Sequence, residues 1–219
     1  MEFPNAKKGI GMLVVSEIMT LVYVGIGLLF SMVMVGVSLV ISEVQASTAA
    51  SGIVSWVQMI MTVVMAAIIL GAYVVRVIGV VHCSRDEPLF KTTLYVIAVG
   101  FAATVLELIF SENVAVSSAC SMVSNITDLC IAIFIIQGVR NIGAQLGNAE
   151  IEKRGKYLVT IAIIAYSMII LANAVGTIMN NNVGAVIANA IEIGAGILEI
   201  VQYVLFLIYI LKAKKMLNN

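Results

Sequence analysis

Six continuous apolar segments dominate the chain, and each is long enough to cross a lipid bilayer as an α-helix. A helix needs about 20 apolar residues to cross the hydrocarbon core. The sequence meets this requirement at residues 12–41, 53–80, 90–110, 116–139, 157–179 and 184–211. These segments lack the alternation with period two that transmembrane β-barrel strands require. The sequence therefore predicts an all-α integral membrane protein with six transmembrane helices.

Composition supports the same class. Hydrophobic residues make up 62% of the 219 residues and charged residues 11%, whereas soluble domains carry about 25% charged residues. A soluble fold of this length cannot hide so much apolar surface from water. The first segment has 25 uncharged residues between Glu17 and Glu43 (43 − 17 − 1), more than the roughly 7–15 of a signal-peptide core. We interpret it as a retained spanning helix.

The basic residues predict the orientation of the helices. All twelve fall at one end of the predicted spans: Lys7, Lys8, Arg76, Arg85, Lys91, Arg140, Lys153, Arg154, Lys156, Lys212, Lys214 and Lys215. Lys and Arg concentrate on the cytoplasmic side of membrane proteins. We therefore predict cytoplasmic termini and three antiparallel hairpins, at roughly 12–80, 90–139 and 157–211, in one domain of residues 1–219. Compact loops and the absence of a disulfide pattern favour a bacterial cytoplasmic membrane.

Two short segments resemble each other and suggest an internal repeat. Residues 75–79 read Val-Arg-Val-Ile-Gly and residues 139–143 read Val-Arg-Asn-Ile-Gly, an offset of 64 (140 − 76). Duplicated hairpins occur in transporters. The alternative is that membrane hairpins with basic ends resemble each other without duplication. Small residues at spacing four, such as Gly27 with Ser31 and Ala67 with Gly71, predict close helix packing.

Carboxyl groups at membrane depth are the candidate functional residues, because ionisable side chains are costly there. At 1.5 Å per residue from the nearest basic anchor, Asp128 lies about 18 Å and Glu199 about 20 Å into the membrane. Glu107 lies about 24 Å from its anchor on the same scale, and Glu192 lies near the outer interface. Helical spacing puts polar residues of the fourth and sixth helices on one face each. The predicted ligand-binding set is Asp128, Glu199, Glu192, Glu107, Asn125 and Asn189.

These residues allow two functional interpretations. In the first, they line an outward-facing acidic cavity of a transporter or a substrate-binding membrane subunit, whose ligand is small and cationic or polar. In the second, they are structural, protonated or hydrogen-bonded between helices. The protein is then a non-transporting accessory, immunity or stress protein, with residues 140–156 as its docking surface. Expected partners are the lipid bilayer, a further copy of the chain, or another membrane subunit or an ATPase.

Several classes of chemistry are not expected. The chain has a single histidine, His82, and two aspartates, Asp86 and Asp128, which argues against a dense metal site. It contains neither a G-x-S-x-G sequence nor a Walker sequence. We therefore predict no enzymatic activity, no cofactor and no metal. Nucleic-acid binding is also not expected, because the basic residues are confined to short segments.

Overall fold

The computed structural model of the protein describes residues 3–44, 48–178 and 182–218, apart from some side chains within these ranges. All regular secondary structure in these residues is α-helical, which confirms the predicted all-α class. The arrangement in three antiparallel hairpins and the cytoplasmic termini stay predictions. The helices are α1 (Pro4–Val44), α2 (Thr48–Cys83), α3 (Leu89–Ile109), α4 (Val114–Gln145), α5 (Ala149–Ile178) and α6 (Asn182–Asn218). The described residues provide six helices long and apolar enough to cross a membrane. The chain is a polytopic integral membrane protein.

Most helices are longer than the apolar spans predicted from the sequence. Helix α5 begins at Ala149, eight residues before the predicted span (157 − 149), and α6 continues to Asn218. The additional turns carry Lys, Glu and Arg, which favour helix as strongly as most apolar residues do. Hydrophobicity identifies the part of a helix that can lie in lipid. The helix itself continues beyond that part until a residue interrupts its backbone hydrogen bonding.

The joint between α4 and α5 shows what stops a helix here. Gly147 has a φ of +69°, a left-handed conformation that glycine adopts without steric cost at a helix end. Asn148 then caps α5, because its Oδ1 accepts a hydrogen bond from the Ile151 N–H at 3.1 Å. Glu150 and Glu152 lie in the first turn of α5, where carboxylates complement the helix dipole. The polar segment predicted as a break is therefore mostly helix.

The first turn of α1 is held by a carboxylate from the joint between α2 and α3. Asp86 Oδ2 accepts a hydrogen bond from the Ala6 N–H at 2.7 Å, and Asp86 Oδ1 accepts one from Asn5 Nδ2 at 2.9 Å. The first N–H groups of a helix have no partner within the helix. Asp86 therefore supplies an acceptor and a negative charge at the positive end of α1.

By its internal contacts the chain forms two compact units, Met12–Ile78 and a second unit of Met1–Gly11 with Gly79–Asn219. In the second unit α3 packs against α4, α4 against α5, and α5 against α6, while α4 also contacts α6. Among the described side chains, a fully buried apolar group lies toward the basic end of these helices: Ile10, Val80, Phe90, Ile136, Val139, Ile142 and Ile210. This apolar core positions the polar groups considered below. The prediction of one domain, and of a duplicated hairpin, stays a prediction.

In the unit Met12–Ile78, α1 and α2 are joined by an ion pair whose carboxylate is buried and whose guanidinium is partly exposed. Arg76 Nη2 donates to Glu17 Oε1 at 2.8 Å, and the Glu17 side chain is only 3% exposed. A lone charge at this depth would have to extend to the aqueous interface or pair with a cytoplasmic charge. Instead they neutralise each other between two helices, which is how buried charges are tolerated in a membrane.

Candidate functional site

The predicted ligand-binding residues lie on three helices. Glu107 is half-buried on α3, and on α4 Asn125 is half-buried while Asp128 is exposed. Asn189, Glu192 and Glu199 belong to α6, but their side chains lie outside the described residues. The convergence of all six on one cavity therefore stays a prediction.

The contact between α3 and α4 explains why Asp128 is exposed. A Cβ atom added at Gly100 would lie 2.7 Å from Thr127 Oγ1, so Thr127 packs directly on the α3 backbone. Thr127 is 6% exposed. The next residue on an α-helix is rotated by about 100°, which turns Asp128 away from α3. Its carboxylate therefore lies on a face of α4 other than the one that packs on α3.

Gln202 is a polar residue buried on α6 that was not included in the predicted set. It is 7% exposed, and its Oε1 has no hydrogen-bond partner within the described part of the chain. An amide oxygen removed from water without a partner costs about 1–3 kcal/mol in protein mutational data. It belongs to the same polar series on α6 as Glu199, and this spacing was the sequence signal for it.

Tyr209 links three helices at the basic end of the second unit. Its hydroxyl donates a hydrogen bond to the Ile136 carbonyl of α4 at 3.2 Å. It passes Gly155 of α5 so closely that an added Cβ there would lie 2.8 Å from the hydroxyl oxygen. The absence of a side chain at Gly155 thus allows Tyr209 to reach α4.

Tyr209→Phe should lower the free energy of unfolding by about 1 kcal/mol, because it removes one buried hydrogen bond while preserving the ring. The expected readout is a thermal midpoint in detergent about 2–4 °C lower. Tyr157→Phe is the control, since Tyr157 is 63% exposed. Equal midpoints for the two variants would contradict the role of the Tyr209 hydroxyl.

The described carboxylates at the basic end are paired with groups of the same chain. Glu87 is 6% exposed and accepts hydrogen bonds from Asn141 Nδ2 at 3.0 Å and Gln145 Nε2 at 3.4 Å. It thereby ties the joint before α3 to the last turns of α4. Buried carboxylates with such partners are structural groups, and no ligand is needed to explain Glu87.

Residues 140–156, predicted as a docking surface, are charge-paired with each other and with α6. Glu150 Oε1 accepts from Lys212 Nζ at 2.7 Å and from Arg154 Nε at 2.9 Å. Glu152 lies 3.5 Å from Lys156 and 4.0 Å from Arg140. These pairs hold the basic ends of α4, α5 and α6 together. Lys153, between them, is exposed.

A groove of about 120 Å³ lies between α5 and α6 near this charged end. We call it the α5–α6 groove. Helix α5 contributes Arg154, Tyr157, Leu158 and Ile161 to its lining, and α6 contributes Leu205, Ile208 and Tyr209. Arg154 is therefore the one charged residue in this lining, and the other lining residues are apolar or aromatic.

Neither a metal site nor similarity to a known protein indicates a function for this chain. Among the described side chains, no group of three or more His, Cys, Asp or Glu residues is arranged to hold a metal ion. Comparison of the chain with protein-family models, curated proteins and solved structures gives no match. Functional proposals therefore depend on the chain's own residues.

Proposed function

We propose that the protein is a small transporter or a substrate-binding membrane subunit that holds a cationic or polar ligand between polar faces of α4 and α6. The observation that carries the proposal is the buried Oε1 of Gln202, which has no hydrogen-bond partner among the described residues. Hydrocarbon offers no hydrogen bonds to such a group. A polar ligand that donates a hydrogen bond would remove this penalty. The proposal assigns no enzymatic reaction to the chain.

The level of Gln202 in the bundle supports the same pairing of helices. Arg140 and Lys212, near the ends of α4 and α6, both bind carboxylates in the first turn of α5. The two helices therefore run toward the same end. Because the Tyr209 hydroxyl reaches the Ile136 carbonyl, a step of seven residues back on each helix puts Gln202 within about one turn of the level of residue 129, which follows Asp128 in the chain. Glu199 lies less than one turn from Gln202 on α6.

The chemistry of these groups favours a ligand with positive charge or several donors. Carboxylates of Asp128 and Glu199 would provide negative charge, and the amide oxygen of Gln202 an acceptor. We further propose that this site opens away from the basic end, with both termini in the cytoplasm of a bacterial cell. Glu107, Glu192, Asn125 and Asn189 would line the outer part.

Variants that neutralise this site are expected to lose the ligand that the wild-type protein retains. After gentle extraction from its own membrane, the protein is expected to have a native mass that exceeds the mass of the chain by that of a bound small molecule. Asp128→Asn, Glu199→Gln and Gln202→Leu should each lower the bound fraction roughly tenfold, because each removes one hydrogen bond or charge contact with the ligand. Native mass spectrometry measures the bound fraction directly.

Glu112→Gln is the matched control, because it also neutralises a carboxylate but lies in the exposed joint between α3 and α4. It should retain the ligand as the wild type does. Thermal midpoints of all variants report whether the fold is intact. An unchanged bound fraction in the Asp128 and Glu199 variants would contradict the proposal.

A non-transporting accessory protein is the second candidate, favoured by the internal pairing of the basic-end carboxylates. Glu17, Glu87, Glu150 and Glu152 all bind groups of the same chain. If Asp128 and Glu199 have the same structural role, their neutral variants would lower the thermal midpoint without changing the native mass. Exposed Lys153 would then contribute to a protein-docking surface.

A further inference from the structure

The α5–α6 groove combines an apolar trough with a positive rim. Arg154 lies at one end, and Ile161 lies seven residues further along α5, which corresponds to roughly 10 Å. Leu158, Ile161 and Leu205 line this length without a charge. The groove opens to the outside of the second unit, because Tyr157 is 63% and Ile208 40% exposed. Its polarity, with one charged end and an apolar length, matches an amphiphile lying along the helices.

The charge at the rim is positive after local pairing. Arg154 and Lys212 share one carboxylate, that of Glu150, which leaves a charge of about +1 (2 − 1) by the side-chain inventory. Arg154 uses its Nε for this contact, which leaves the donors of its two terminal nitrogens for a further acceptor. Guanidinium groups bind phosphate in this way. The Arg154 side chain is 47% exposed, so a headgroup can reach it.

The position of Tyr157 agrees with a membrane interface at the rim. Tyrosine is enriched where hydrocarbon meets the headgroup layer, and Tyr157 follows the charged first turns of α5. The trough beyond Tyr157 then lies at the depth of acyl chains. Basic pockets between transmembrane helices are known sites for anionic headgroups.

We propose that the α5–α6 groove binds one anionic phospholipid. Its phosphate contacts the Arg154 guanidinium, and one acyl chain lies along Leu158, Ile161 and Leu205. The lipid bridges α5 and α6 next to the Tyr209 hydrogen bond. This site is separate from the proposed ligand site and does not depend on it.

Lipid binding is tested with delipidated protein in detergent, titrated with phosphatidylglycerol or with phosphatidylcholine of the same acyl chains. Native mass spectrometry counts the bound lipids. Wild type should prefer phosphatidylglycerol. Arg154→Gln should weaken phosphatidylglycerol binding roughly tenfold, because it removes a charge-assisted contact. Leu205→Trp should weaken both lipids, because the indole fills the trough.

Lys153→Gln is the matched control, because it removes the same charge from the adjacent residue outside the groove. It should change phosphatidylglycerol binding less than about twofold, as expected for an exposed charge. Three results would overturn the proposal. These are equal effects of Lys153→Gln and Arg154→Gln, no headgroup preference in the wild type, or full competition by glycerol phosphate alone. The last would identify a site for a free anion.

Discussion

Gly9→Ala is expected to destabilise the protein by about 3 kcal/mol, the upper part of the range for overpacked positions. A Cβ at Gly9 would lie 2.5 Å from the Gly79 carbonyl oxygen and 2.8 Å from the Cys83 amide nitrogen. It would also clash with Cys83 Sγ. Two of these three atoms are backbone, which cannot rotate away as a side chain can. The first turns of α1 must therefore move off the end of α2.

Thermal unfolding in detergent, followed by circular dichroism at the helix band, measures this effect. Gly11→Ala is the matched control, because a Cβ at Gly11 meets nothing within 4 Å. Alanine is about 1 kcal/mol better than glycine inside a helix, so Gly11→Ala should leave the midpoint unchanged or raise it. Similar midpoints for both variants would contradict the close approach of α1 and α2 at Gly9.

Arg76→Leu is expected to cost about 3 kcal/mol or more, because it leaves the Glu17 carboxylate buried without its cation. Glu17 is 2% exposed, so water cannot replace the guanidinium. The double variant Glu17→Leu with Arg76→Leu should recover most of the loss, since an apolar pair of similar volume replaces a buried ion pair at little cost. The thermal midpoints of the two variants measure the difference.

An exposed ion pair provides the control for Arg76→Leu. Glu150 and Arg154 are 58% and 47% exposed, and pairs of this kind contribute about 1 kcal/mol or less. Arg154→Gln should therefore leave the midpoint nearly unchanged. A double variant of Glu17 and Arg76 as unstable as Arg76→Leu alone would show that the carboxylate is not what the arginine stabilises.

Sequence patterns located the membrane-spanning segments but underestimated the helices. Residues 149–156 have low hydrophobicity, and the pattern therefore predicted a break. The stop is local and consists of Gly147 with its positive φ and the Asn148 cap. Both residue types were visible in the sequence. Only the backbone conformation shows that Gly147 ends one helix and that the next begins two residues later.

The spacing of small residues did not identify every close approach between helices. Small residues at spacing four included Gly27 and Gly71, and each of these packs against a methionine side chain in the unit Met12–Ile78. Among the glycines that the structure describes, the tightest approaches occur at Gly9 and Gly138, which the spacing rule did not select. Spacing identifies a face that allows close approach, but it contains no information on which helix faces it.

The sequence predicted the candidate site only in part. Helical periodicity identified the polar series on α6, in which Gln202 is buried and its Oε1 has no hydrogen-bond partner among the described residues. The sequence also places Glu17 and Arg76 within the first two predicted spans. Their pairing depends on the rotation of α1 and α2 about their axes, which hydropathy does not specify.

The sequence by itself determined the class of the protein, because a run of about 20 apolar residues is stable across a bilayer whatever its neighbours are. It also determined that every basic residue lies at one end of the predicted spans. The tertiary structure decided which charges neutralise each other, which glycines allow close approach and where a groove remains between α5 and α6. These features depend on contacts between residues far apart in the chain, and such contacts are set by packing rather than by composition.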